Sequence, residues 1–210
     1  MSATVLDSRA AAQAFTLRQE EGRQTAPLAG DPGGATNWGV TIYRLSEWRG
    51  HKCTPDDVYA LTFSEACAIF NSGYFDALRC PSLWPGLDLM VADHGYNCGL
   101  GASAKCLQRA LGFVELGETP PLPNHVADGW IGGVTIGAAR NIGYAARPDF
   151  LRALRDRQEF DYRSKADFPL FGAEWIGNPE ASDDWRRNGR LGRRLIAALA
   201  LLPPIVSASA

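Results

Sequence analysis

The chain has no basic excess. Its 210 residues carry 21 Lys and Arg against 23 Asp and Glu, a formal net charge of −2 and a pI of about 5.9. That argues against a general nucleic-acid binder, because phosphate backbones are held by a surplus of Lys and Arg. Long apolar runs are also missing. The best candidate, LIAALALLPPIV at 195–206, is broken by Pro203 and Pro204 and falls short of the roughly 18–20 residues a bilayer-spanning helix needs. The opening MSATVLDSRAAAQAF has no basic stretch followed by an apolar core, so no secretory leader is expected. Nor is there a C-x-x-C pair. The five cysteines, Cys53, Cys67, Cys80, Cys98 and Cys106, are an odd number, which predicts free and largely buried thiols. His51 stands two residues before Cys53, but nothing repeats that spacing, so no metal and no cofactor is expected. No internal repeat is present.

What is there is an ordinary globular composition, 46% hydrophobic and 21% charged, enough for one compact domain or a domain with a small appended lobe. Apolar spacing predicts a helix over 5–21 with Gly22 as its C-terminal cap. A Pro/Gly/Ala-rich loop follows to Ala35, then a short strand or hairpin arm over TNWGVTI, 36–42. Thr54-Pro55-Asp56-Asp57 reads as a helix start, and Thr62-Phe63-Ser64-Glu65 as a capping box. Two further helices are predicted over 87–99 and 102–112, joined at Gly99 and Gly101. Pro148 opens a long one to about Lys165, and Ser182-Asp183-Asp184 caps a last one to about Leu202. The fold class is mostly α (α+β), with a small β-hairpin near the N-terminus. ETPPLPN, 118–124, is the best candidate boundary.

The stretch EEGRQTAPLAGDPGGATNWGVT, residues 20–41, holds the candidate chemistry. A carboxyl at a helix C-terminus meets the negative end of the dipole, which favours its protonated form and suits a general acid. Glu21, followed by a glycine, has that placement, and Trp38 beside it would strengthen the effect by burial. Asp31 and Thr36 follow at ten and fifteen residues, and a turn can bring both to one cleft to hold a water. The competing reading makes Glu20 and Glu21 solvated surface, and Asp-Pro-Gly-Gly a turn in which Asp31 satisfies its own backbone.

These residues resemble the signature of glycoside hydrolase family 108, lysozyme-like muramidases found largely in phages and prophages. Asp31, Pro32, Gly33, Gly34, Thr36, Gly39 and Thr41 match position by position, and Val40 replaces isoleucine. Glu21-Gly22 matches the first half of a Glu-Gly-Gly element; Arg23 stands where its second glycine would, and the loop to Asp31 is one residue longer. LTFSEACAIFNSGYFDAL, 61–78, and VADHGYNCGLGASAKCLQRALG, 91–112, extend the likeness. ADGWIGGVTIGAAR, 127–140, is similar to a peptidoglycan-binding segment through Asp128, Gly129, Ile131, Gly132 and Thr135.

The resemblance implies a lysozyme-like helical region over 1–113. It also implies a peptidoglycan-binding segment over 114–180, packed into the same globular unit, and an Arg-rich helix and tail over 181–210. The implied reaction is hydrolysis of the β-1,4 bond between N-acetylmuramic acid and N-acetylglucosamine. Glu21 is the general acid, Asp31 and Thr36 position the water, and Glu20 is a bystander. Trp38, Gly34, Asn97 and Asp93 are the substrate-binding candidates. Asp93 and Asn97 share one helix face, and either line the sugar cleft or form a buried, mutually hydrogen-bonded pair.

The implied partner is bacterial peptidoglycan, with no nucleic acid, for a monomer made in the host cytoplasm. Such an enzyme acts on the wall after holin-type release; an exported effector has the same sequence features. Two alternatives remain: a lytic transglycosylase, which needs no water-holding Asp, and an inactive peptidoglycan-binding protein, to which Arg23 points. The C-terminal DDWRRNGRLGRRLIAALALL reads either as a terminal helix packing Leu195, Ile196 and Leu199 with its arginines solvated, or as a cationic amphipathic element drawn to an anionic outer-membrane surface.

Overall fold

The computed structural model describes residues 7–20, 23–24, 34–115, 117–119, 124–178 and 185–204, with 23–24 and 185–186 as backbone only. The first helix, α1 (Ser8–Gln19), starts at Asp7, whose carboxylate accepts the N–H groups of Arg9 and Ala10. It ends at Glu20, whose N–H bonds the Leu17 carbonyl. The sheet has three antiparallel strands, β1 (Arg23–Gln24), β2 (Thr36–Asn37) and β3 (Val40–Thr41), in that order. Thr36 pairs with Thr41 and Asn37 with Val40.

The two turn residues between β2 and β3, Trp38 and Gly39, both have positive φ, 54° and 73°. That is the backbone a tight two-residue hairpin requires, and it is unfavourable for tryptophan. The Trp38 ring packs edge-on against Phe63 at 5.0 Å, and the Trp38 carbonyl accepts the Tyr96 hydroxyl at 2.7 Å, so tertiary contacts hold the turn. Buried Asn37 donates to the carbonyls of Val58 and Leu61 and ties the sheet to the next helices.

The strand predicted to reach Ile42 stops at Thr41, because the Thr41 hydroxyl accepts the Arg44 N–H and starts α2 (Ile42–Arg49). The helix starts at Thr54 and Thr62 are present. Thr54 and Asp57 cap each other at α3 (Pro55–Tyr59), and Thr62 caps α4 (Phe63–Phe70). A π-helical turn, Asn71–Asp76, follows. The next two helices are α5 (Leu87–Cys98) and α6 (Leu100–Ala110); Gly99 alone, at φ 91°, breaks them, and Gly101 is inside α6. Every residue from Leu87 to Gly95 is buried, as befits a helix surrounded on all sides. Around it pack α1, α6, α8 (Arg147–Arg163) and α11 (Arg190–Ala200).

The Asp-Gly-Trp turn before α7 (Gly133–Arg140) is fastened to α6 by one side chain. Gln108 accepts the Gly129 N–H at 2.9 Å, and donates to Asp128 at 2.7 Å and to the Trp130 carbonyl at 3.1 Å. The apolar core runs from Ala12 to Ala198. Among the described residues no helix is long and apolar enough to cross a membrane. The five cysteines are free thiols, with Cys53, Cys80 and Cys106 buried.

Two features of the C-terminal half depart from the sequence reading. Phe168–Ile176 forms a helix, α9, where none was expected. The last predicted helix is two, α10 (Trp185–Asn188) and α11, and its proposed cap at 182–184 lies outside the described residues. The break falls at Gly189, where a Cβ would lie 2.2 Å from the Gly177 nitrogen. The arginines are not all solvated: Arg190 and Arg194 are buried, while Ile196 is 45% exposed. Period and composition place Ile196 inside and the arginines outside. A buried carboxylate on α5 reverses the assignment.

Candidate active site

That carboxylate is Asp93, fully buried on α5. It accepts Arg190 Nε at 3.2 Å and Nη2 at 2.7 Å, and also Arg194 Nε. Burial alone would raise its pKa, but Arg190 and Arg194 outweigh that and hold it well below the usual carboxylate range. Arg194 continues to Gln158 at 2.8 Å and to the Tyr162 hydroxyl at 2.7 Å, and Asn97 donates to the same hydroxyl at 2.8 Å. Arg190 Nη1 reaches outward to Glu20. Glu20 and Asp93 therefore face Arg190 and Arg194, and the charges balance locally.

Above this network lies a cleft of about 320 Å³. Glu20, Thr36, Gly39 and Thr41 line it from α1 and the hairpin, Tyr96 and Asn97 from α5, Phe171 and Trp175 from α9, and Arg190 from α11. Gly39 is required for space as well as for its backbone: a Cβ there would come within 2.9 Å of Glu20 Cγ and 2.8 Å of Tyr96 Cε1. The glutamate at the end of α1 is thus pressed against the hairpin turn.

Thr36 and Asn97 lie in the cleft. Asp93 does not: it sits beneath Arg190 at 0% exposure and pairs with arginines instead of Asn97. The reason is energetic, since two buried guanidinium groups require a buried anion. Trp38 and Gly34 are partly buried at the hairpin, and neither lines the cleft. Glu21 and Asp31 lie outside the described residues, as does the side chain of Arg23. Glu20, read as a bystander, is an ion-paired wall of the cleft, only 24% exposed. Sequence reasoning missed Arg190, Tyr96 and Trp175; the one available signal was an arginine run, which usually means a solvated face.

One cluster has metal-ligand chemistry. His94, Cys106 and Asp161 bring three ligand atoms within 4.8 Å of one another. Their ligand atoms face one another and charged neighbours: Asp161 Oδ2 lies 3.3 Å from His94 Nε2 and 3.1 Å from Lys165 Nζ. Arg194, which only donates, faces His94 Nδ1 at 3.5 Å, so the ring proton sits on Nε2 and points to Asp161 at 3.3 Å. The Cys106 thiol donates to the Arg157 carbonyl, and burial pushes it up to about 12.

His94 makes stability depend on pH. Burial, helped by Arg194, lowers its pKa from 6.5 to about 4 despite the hydrogen bond to Asp161. Between those values the unfolded chain takes up a proton that the folded chain refuses. Stability is therefore complete above pH 6.5 and falls by roughly 3 kcal/mol as pH drops towards 4. Burial would raise Asp161, but His94 and Lys165 lower it to about 2 from 3.8, so its contribution is lost only below that window. Urea midpoints taken from pH 7 to 4.5 should show this slope, and His94→Gln should flatten it.

Residues 14–99 match the family model for glycosyl hydrolase 108. The match covers less than half of the chain and marks this region as similar to that family. Among solved structures the chain is similar to SagA of Brucella abortus, with 26% sequence identity and a TM-score of 0.73 over 95% of this chain and 98% of that one. No curated protein matches the chain. The fold is the mostly helical, lysozyme-like one, and the chain carries a glycoside hydrolase region. Glu20, Thr36, Tyr96 and Asn97 fall inside the family 108 region; Arg190 and all of α9 lie beyond it.

Proposed function

We propose that the chain is a peptidoglycan hydrolase of the muramidase type, cleaving the β-1,4 bond between N-acetylmuramic acid and N-acetylglucosamine. Such hydrolysis needs a protonated carboxyl at the leaving oxygen and a second group that activates water on the other face of the sugar. Glu21 is the acid and gives its proton to the leaving oxygen. Asp31 takes a proton from the water as its oxygen bonds to the anomeric carbon, and Thr36 orients that water. Glu20 is the anchor of this arrangement and not its acid. The Glu20 carboxylate is taken up by Arg190, which assigns proton delivery to its neighbour Glu21.

The single observation that carries the reading is this pair, set in a cleft between the end of α1 and the hairpin with Thr36 in the same wall. It explains why two glutamates adjoin, one fixing the helix end for the other. The match of residues 14–99 to the glycosyl hydrolase 108 model supports glycoside hydrolysis in general. The test is mass spectrometry of digested peptidoglycan. Reducing N-acetylmuramic acid ends are expected, and Asp31→Ala should abolish them. Anhydro ends that survive Asp31→Ala would make the protein a lytic transglycosylase. Absence of any glycan product with binding retained would make it a wall-binding protein.

A further inference from the structure

We propose that α9 is a substrate-selecting wall of this cleft. In this arrangement Trp175 is a platform for a sugar ring, and Asp167 and Glu174 favour a ligand carrying a free ammonium group. The inference rests on the reading of the cleft as a glycan site and names what that glycan should carry.

Trp175 lines the same cleft as Glu20 and Thr36, and it is held from behind. Its ring stacks on Tyr162 with centroids 5.0 Å apart and planes at 28°, and Phe171 flanks it at 5.7 Å. Tyr162 is itself fully buried and fixed by hydrogen bonds from Arg194 and Asn97. The platform therefore loses little side-chain freedom when a ligand covers it. An aromatic face of this kind offers apolar area to the C–H face of a pyranose while leaving the hydroxyl and amino groups at the ring edge free for polar partners.

The polar partners on this wall are anionic. Asp167 and Glu174 are exposed carboxylates lining the cleft, and neither has an ion-pair partner among the described residues. Among the described residues the cleft thus holds three carboxylates, Glu20, Asp167 and Glu174, against one guanidinium, Arg190, which Asp93 already shares. A fully N-acetylated glycan would desolvate these carboxylates and return only neutral hydroxyl and amide donors. An ammonium would return a charge-assisted bond. Like charge also disfavours segments rich in carboxylates. Two parts of peptidoglycan can supply the ammonium: a de-N-acetylated hexosamine, or the side-chain amine of a diamino acid in the stem peptide.

The test uses the full chain as Glu21→Gln, so that probes stay intact, with affinities read from tryptophan fluorescence at low salt. The probes are chitotetraose, its fully de-N-acetylated counterpart, and a muropeptide with its stem amine free or acetylated. A free amine, on sugar or peptide, should bind about five- to tenfold more tightly than its acetylated partner. Asp167→Asn/Glu174→Gln, two surface changes, should abolish that preference, and Trp175→Ala should weaken all four probes about tenfold. The probe pair that shows the preference identifies the source of the amine. Equal affinities within both pairs, or a preference that survives the double substitution, overturn the selection even where peptidoglycan is still cut to reducing ends. No binding of any probe together with no product overturns both this inference and the hydrolase reading.

Discussion

Exchanging Glu21 for glutamine is expected to lower the rate of peptidoglycan hydrolysis by about 10²–10⁴-fold, the range a positioned general acid contributes, with the urea midpoint nearly unchanged. Glutamine keeps the size of the side chain and removes the proton it must deliver. Glu20→Gln should behave in the opposite way. It leaves Arg190 with Asp93 as its one carboxylate partner among the described residues and loosens the end of α1, so stability should fall by about 1–2 kcal/mol, a charge-assisted bond at a partly exposed site. Activity should fall less than tenfold. Turbidity clearing and urea unfolding on the same two preparations check both. An inactive, fully stable Glu20→Gln beside an active Glu21→Gln would exchange the two roles.

The second large effect is on the fold. Asp93→Asn should destabilise the protein by about 3–5 kcal/mol, the cost of breaking a buried ion pair by removing one partner. The side chain keeps its shape, but Arg190 and Arg194, both buried, lose the anion between them. Urea unfolding at pH 7 measures the loss. The effect should spread to the cleft, since Arg194 fixes Tyr162 and Tyr162 supports Trp175. Tryptophan emission of the folded variant should therefore shift as well. A loss below about 1 kcal/mol would mean that water already compensates the two arginines.

Much of the fold was legible because its signals are local. Thr54 and Thr62 cap the helices their spacing predicted, and Gly99 breaks α5 from α6. The aromatic and β-branched run after Asp31 contains two strands of the sheet, ended by a threonine that caps the next helix. The missed features depend on partners far away in the chain. Nothing near Arg190 says that Asp93, 97 residues earlier, will pull it inside. Asp167 followed by Pro169 is a helix-start signal for Phe168–Ile176, but nothing local marks that helix as a cleft wall. The acid expected at Glu21 was inferred from its place before a glycine. The environment of Glu20 next to it could only come from the tertiary structure.

The contact between Arg190 and Glu20 spans 170 residues. It joins the first described helix to the last, and so sets an order of events during synthesis. Until α11 has left the ribosome, Glu20 and Asp93 lack Arg190, and the cleft lacks one side. Contacts this distant in sequence close late and slowly. A nascent chain, or one shortened before residue 190, would hold all of residues 14–99, the stretch that matches the family model, and still have an incomplete cleft.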